Sequence, residues 1–150
     1  MTAAELESYL HEHIPLSSAM AVAVRSVQPD RVALWAPLQP NINHRDTVFG
    51  GSMSALAILA AWSVLYARLH AERMGARVVI RRNTMDYERP ITGEFTAIAA
   101  VDAGSAWQEF LRRLARKGKA RIDVSATVEH TGVVAGRFTG EFVALGGRDA

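Results

Sequence analysis

The stretch SMSALAILAAWSVLYARLHAERM, residues 52–74, decides the fold. Strong helix formers fill it, and Gly75 is placed to stop it as a C-cap. Its first four turns are apolar nearly all round, the mark of a central buried helix and not of a surface one. The apolar run from Met53 to Ala67 is interrupted by Ser54 and Ser63 and stops at Arg68. That is shorter than the roughly 18–20 residues needed to cross a bilayer, so no membrane association is expected.

Working toward the N-terminus, residues 39–51 (QPNINHRDTVFGG) form a polar loop ending in a Gly pair. Before it, residues 31–37 (RVALWAP) and 19–27 read as two strands, paired as a hairpin around Gln28-Pro29-Asp30. Thr2 and Glu5 make a capping box for a helix over 3–13, which Pro15 ends. Toward the C-terminus, strands are expected at about 77–87 and 94–102, joined around Arg89-Pro90 and Gly93. Ser105 and Gln108 then cap a helix with the stripe Trp107, Phe110, Leu111 and Leu114, closed by Gly118. Finally Ile122, Val124, Ala126 and Val128 alternate with polar residues, and after Thr131-Gly132 so do Phe138, Gly140 and Phe142. A period of two gives each of these strands one core face and one solvated face.

The order is α-β-β-α-β-β-α-β-β in one domain, residues 1–150. One apolar helix and about six antiparallel strands are best satisfied by a curved sheet wrapped around that helix, an α+β hotdog arrangement. Burying nearly every face of the helix requires the sheet to enclose it or a second chain to help.

Composition narrows the function classes. With 49% hydrophobic and 21% charged residues, the chain is an ordinary globular one. The absence of cysteine removes disulfides, thiolate metal sites and cysteine nucleophiles. Net charge is only +2, too little for a dedicated nucleic-acid binder. Of the 17 basic residues 15 are Arg, a residue that suits phosphate or carboxylate recognition; with 25 alanines alongside, codon bias is the first account of them. Met1–His13 shows no basic region leading into an apolar run, so a cytoplasmic location is expected.

Asn43-His44-Arg45-Asp46-Thr47-Val48-Phe49-Gly50-Gly51, leading into Ser52 and the long helix, resembles the hotdog-fold thioesterases. It is most similar to the thioesterase domain fused to acetyltransferases in YiiD-type proteins. The likeness extends through Ile14-Pro15-Leu16, the strand ending before Asn41, and Tyr87-Glu88-Arg89-Pro90-Ile91. It implies that the N–H of the second glycine, Gly51, polarises a thioester carbonyl. The physics agrees, since the first N–H groups of a helix are unpaired and sit at the positive end of its dipole. The resemblance further implies that Asn43 orients a water or the carbonyl. Asn41, Phe49, Gly50 and Ser52 would line the substrate, and Arg82, Asn83 and Thr84 would reach it from a partner subunit. No metal and no cofactor is implied beyond the CoA that a substrate carries.

Two positions depart from the family pattern. Phe49 stands where a His is expected before the Gly pair, and Ile58 where a carboxylate is expected on the helix. His44, near neutrality by default, is then the candidate to activate water, with Asp46 to orient it. His11-Glu12-His13 lacks a third ligand nearby and reads as a helix end. Trp62 and Tyr66 read as core, or as the wall of an acyl tunnel. Arg81, Arg82, Arg112, Arg113, Arg116 and Lys117 are candidates to contact CoA phosphates, or simply form a solvated face.

The first reading is a hydrolase of acyl-CoA or acyl-carrier-protein thioesters, acting as a homodimer, with dimers of dimers left open. An enoyl hydratase or dehydratase on the same scaffold is one alternative. A non-catalytic acyl-binding module, favoured by Phe49 and Ile58, is another.

Overall fold

The computed structural model describes residues 1–102 and 104–146. Two N-terminal helices, α1 (Ala3–His13) and α2 (Pro15–Ala19), precede the hairpin β1 (Ala23–Gln28) and β2 (Arg31–Ala36). A short 3-10 turn, Gln39–Asn41, leads through a loop to α3 (Gly50–Ala71). Then come β3 (Ala76–Tyr87), β4 (Phe95–Ala100), α4 (Ser105–Lys117), β5 (Lys119–His130) and β6 (Val133–Gly146). The six strands form one antiparallel sheet in the order β1-β2-β4-β5-β6-β3. α3 packs against β2, β3, β4, β5 and β6, so the sheet curls around it as the apolar sequence demands.

Most local signals act as expected. Thr2 Oγ1 accepts from Glu5 N at 3.1 Å and Glu5 Oε2 accepts from Thr2 N at 2.7 Å, closing the capping box. On β5, Ala120, Ile122, Val124, Ala126 and Val128 are all buried. Gly118 takes a φ of 70° at the end of α4.

Other signals are displaced. Pro15 does not simply end a helix: it starts α2 as its first residue, where its missing N–H is harmless. The first strand therefore begins at Ala23, not residue 19. The C-cap glycine of α3 is not used either. Arg73 takes the left-handed conformation with φ 57°, donating to His70 O while Met74 N donates to Leu69 O, both at 3.0 Å. That is a Schellman end two residues before Gly75. The cap of α4 is Gly104 with no side-chain bond, so the Ser105–Gln108 box does not form.

α3 is also displaced toward the N-terminus: its 22 residues run from Gly50 to Ala71, against the expected 52–74. By length and composition alone it could cross a membrane. Its apolarity is already accounted for, because Leu56, Ala57, Ala60, Val64 and Leu65 are buried beneath the sheet.

The two edges of the sheet are treated differently. On β1, α1 caps the free backbone groups: Val24 N donates to Glu7 Oε1 at 2.9 Å, and His11 Nε2 reaches Val22 O at 2.7 Å. β3, the opposite edge, has only Val78 buried, and Arg81 through Thr84 are exposed on both faces of the strand.

Candidate active site

The loop before α3 is organised by two asparagines. Asn41 is 2% exposed, and its Nδ2 donates to Met20 O at 3.0 Å and Pro37 O at 2.8 Å. Its carbonyl accepts from Phe49 N at 2.8 Å, which closes the loop on itself. Asn41 Oδ1 is buried without a partner among the described residues. Asn43 Oδ1 accepts from Arg45 N at 2.8 Å, Thr47 N at 3.1 Å and Thr47 Oγ1 at 3.2 Å. Its Nδ2 donates to Thr47 Oγ1 at 2.9 Å and Val48 O at 3.4 Å. This is an Asx-type turn, in which the side chain replaces missing backbone partners. It carries His44, Arg45 and Asp46 as an exposed loop, with Asp46 in the left-handed region at φ 62°.

Gly50 and Gly51 are the first two residues of α3, and Phe49 is its N-cap without a capping side chain. Ser52 N and Met53 N both return to Phe49 O, leaving the N–H groups of Gly50 and Gly51 without partners among the described residues. They end a dipole equivalent to roughly half a positive charge. Both glycines lie against exposed aromatic rings. A Cβ on Gly50 would lie 3.3 Å from Tyr87 Cε1, and one on Gly51 would collide with the Phe49 ring. Beside them lies a cleft of about 280 Å³ lined by Leu16, Met20, Pro40, Phe49, Gly51 and Ala55. Leu16, Phe49 and Tyr87 are exposed by 59%, 57% and 55%, so an apolar collar surrounds two free N–H groups.

A family model described as "Putative thioesterase (yiiD_Cterm)" matches residues 3–146. The chain belongs to this thioesterase family. The fold is that of solved relatives. A protein of unknown function from Chlorobaculum tepidum TLS is 29% identical, covering 97% of this chain and 94% of its own, with a TM-score of 0.90. A "putative thioesterase" from Shewanella oneidensis is 23% identical over 95% of this chain and 96% of that one, with a TM-score of 0.86. A "probable thioesterase" from Pseudomonas aeruginosa is 19% identical over 96% of both chains, with a TM-score of 0.82. The hotdog fold and the thioesterase family therefore stand together.

Within that family the chain's own residues divide by place. Asn43, His44, Asp46, Phe49, Gly50, Gly51 and Ser52 gather at the N-terminal end of α3, and Asn41 lies buried beneath them. Arg82, Asn83 and Thr84 lie on the outer strand β3, where register sorts them by face. Met85 pairs with the buried Phe138 and Asn83 with Gly140, so both share the helix side of the sheet. Arg82 and Thr84, paired with Glu141 and Thr139, stand on the opposite side. Of the arginines considered for phosphates, Arg81 is bonded to Glu141 at 2.8 Å, and Arg112 and Arg113 to Glu109 at 2.8 and 3.0 Å. Trp62 and Tyr66 are half-buried, stacked at 4.7 Å between centroids, with Tyr9 of α1 4.6 Å from Tyr66. Trp62 Nε1 donates to Val78 O at 2.9 Å, tying α3 to β3. Burial first, and then Tyr9, pushes the Tyr66 phenol above its ordinary value. His11 and His13 bond the separate carbonyls of Val22 and Tyr9.

Tyr87 is the site residue that sequence reasoning left without a role. Its ring rests on Gly50, and the following segment is tied to the loop by Val48 N donating to Ile91 O at 2.9 Å. Strand alternation would have placed it, except that a bulge between Ile80 and Arg82 shifts the parity of β3.

Proposed function

We propose that the protein hydrolyses acyl-CoA or acyl-carrier-protein thioesters in the cytoplasm, as a homodimer. The observation that carries this reading is the pair of unpartnered N–H groups at Gly50 and Gly51 beside an apolar cleft. A thioester carbonyl directed at Gly51 N–H gains charge stabilisation as its oxygen becomes an oxyanion. Water adds to the carbonyl carbon, the C–S bond breaks, and the thiol leaves with a proton. His44 takes the proton from water and returns it to sulfur, and Asp46 orients its ring. Asn43 acts through the loop, because its amide is already occupied by Arg45, Thr47 and Val48. Asn83 of the partner subunit approaches from the helix side of β3. Arg45 and Arg89, exposed on the two segments that flank the helix end, are better placed for CoA phosphates than the arginines of α4.

A binding-only reading has one observation in its favour: the Phe49 ring lies over Gly51, and Ile58 offers no carboxylate. Thiol release from acyl-CoA substrates of graded chain length separates the two. Hydrolysis is expected for some chain lengths, falling at least about a hundredfold in His44→Ala. Binding without thiol release at every length contradicts the hydrolase.

A further inference from the structure

The end of α3 away from Gly51 holds a guanidinium without a partner. Arg68 is half-buried, its Cζ 4.3 Å from the centre of the Trp107 ring of α4. Among the described residues, the buried side-chain nitrogens left unbonded are Arg68 Nη1 and Trp107 Nε1, on these two stacked side chains. Arg68 takes part in no ion pair of the described residues either. Glu72, four residues on and at a spacing that commonly pairs on a helix, does not close on it. A charge withdrawn from water without a partner is costly, and stacking on Trp107 offsets only part of that. Arg68 lines a cavity of about 380 Å³ with Val27 and Pro29 of the β1–β2 hairpin and Ala67, Ala71 and Glu72. That is the size of a small-molecule site. About 25 Å of helix separates it from Gly51.

We propose that this cavity binds an aliphatic monocarboxylate, whose carboxylate supplies the partner that Arg68 lacks. The lining residues choose the ligand. A guanidinium presents a planar fork of donors that matches a carboxylate or a phosphate. Glu72, exposed at the rim, repels a second negative charge and so favours the singly charged carboxylate. Val27, Pro29, Ala67 and Ala71 offer carbon to pack against, which suits an aliphatic chain behind the charged head. Trp107, fully buried, holds the plane of the fork before any ligand arrives, which lowers the cost of ordering it. The site is separate from the Gly51 cleft and does not rest on the hydrolase reading.

Calorimetric titration of the full chain with sodium octanoate tests the site, with octan-1-ol as an uncharged probe and inorganic phosphate as a more highly charged one. Wild type is expected to bind octanoate with a Kd of about 1 mM or tighter, and to bind the other two at least about tenfold more weakly. Arg68→Gln should weaken octanoate at least about tenfold, the loss of a charge-assisted bond. Because that change also removes the stacking on Trp107, Ala71→Phe stands beside it. Position 71 is exposed, so the new ring fills the cavity without entering the core, and it too should weaken binding at least about tenfold. Gly51→Val, altered at the distant cleft, should bind octanoate as wild type does. No octanoate binding, equal affinity for octanol or phosphate, or undiminished binding in Ala71→Phe overturns the proposal. So does binding lost in Gly51→Val, which would put the carboxylate in the cleft at the other end of α3.

Discussion

Asn43→Ala and Asn43→Asp together test whether this asparagine shapes the loop or touches the chemistry. In the folded chain Asn43 holds Arg45 N and Thr47 N on Oδ1 and exchanges hydrogen bonds with Thr47 Oγ1. Three good bonds at about 0.5–1.5 kcal/mol each would sum to several kcal/mol. The loop is half-exposed and water replaces part of that, so Asn43→Ala should cost about 1–3 kcal/mol. For a chain of this size that is a fall in Tm of roughly 3–10 °C. kcat/KM should fall on the order of tenfold to a thousandfold as His44 and the approach to Gly51 lose their positions. Asn43→Asp keeps both N–H acceptors, and the Thr47 hydroxyl can donate to the carboxylate. The Nδ2 donations to Thr47 Oγ1 and, at 3.4 Å, to Val48 O are lost, the first offset by the hydroxyl's own donation to the carboxylate. It should stay within about 1 kcal/mol of wild type and keep most activity. Chemical denaturation with thiol-release kinetics measures both. An Asn43→Ala variant as stable as wild type refutes the hydrogen-bond reasoning. A stable but inactive Asn43→Asp shows that the amide N–H itself meets water or substrate.

Arg73→Gly should raise stability by about 0.5–1 kcal/mol, since φ 57° is left-handed and costs a side-chain-bearing residue more than glycine; thermal unfolding checks it. Ser63 is fully buried in α3 with its hydroxyl unpartnered among the described residues, so Ser63→Ala should be neutral or stabilising by up to about 1 kcal/mol, and a clear loss of Tm would contradict this. The Arg81 hydrogen bond, with Arg121 and Arg82 near, holds the Glu141 carboxyl below its ordinary 4.5. The stability it contributes is complete above that value and is lost as pH falls through the lowered one. Melting from pH 7 to pH 3 should therefore be less acid-sensitive in Glu141→Gln than in wild type. Arg45→Glu with Arg89→Glu should weaken acyl-CoA binding and flatten its salt dependence; unchanged affinity would remove these residues from phosphate contact.

The architecture was legible because it rests on burial. An apolar helix with no solvated face has few solutions, and the alternation along β5 and β6 states which side faces it. What escaped was local chemistry with competing options. Gly75 is a good stop signal, but Arg73 ends α3 because Leu69 and His70 carbonyls meet the chain two residues sooner. Pro15 ends one helix and begins another, and sequence alone shows only the first effect. At the site, Gly50, Gly51 and the loop were recognisable from their types and order. Their partners were not: that Asn43 spends its amide on Thr47, or that Tyr87 rests on Gly50, depends on turn geometry and a bulge that no periodicity encodes. Phe49 is visible as a departure in the sequence, yet only the fold shows its ring lying over Gly51.

The central claim is that the first N–H groups of α3 activate a thioester. Its most direct test is kcat/KM for acyl-CoA hydrolysis in wild type and Gly51→Val, read beside their melting temperatures. A Val side chain fills the space against the Phe49 ring, which is exposed enough to swing aside without unfolding the helix. The account predicts a fall on the order of tenfold to a thousandfold, the range for losing one oxyanion contact, with Tm nearly unchanged. A Gly51→Val enzyme as fast as wild type would contradict it.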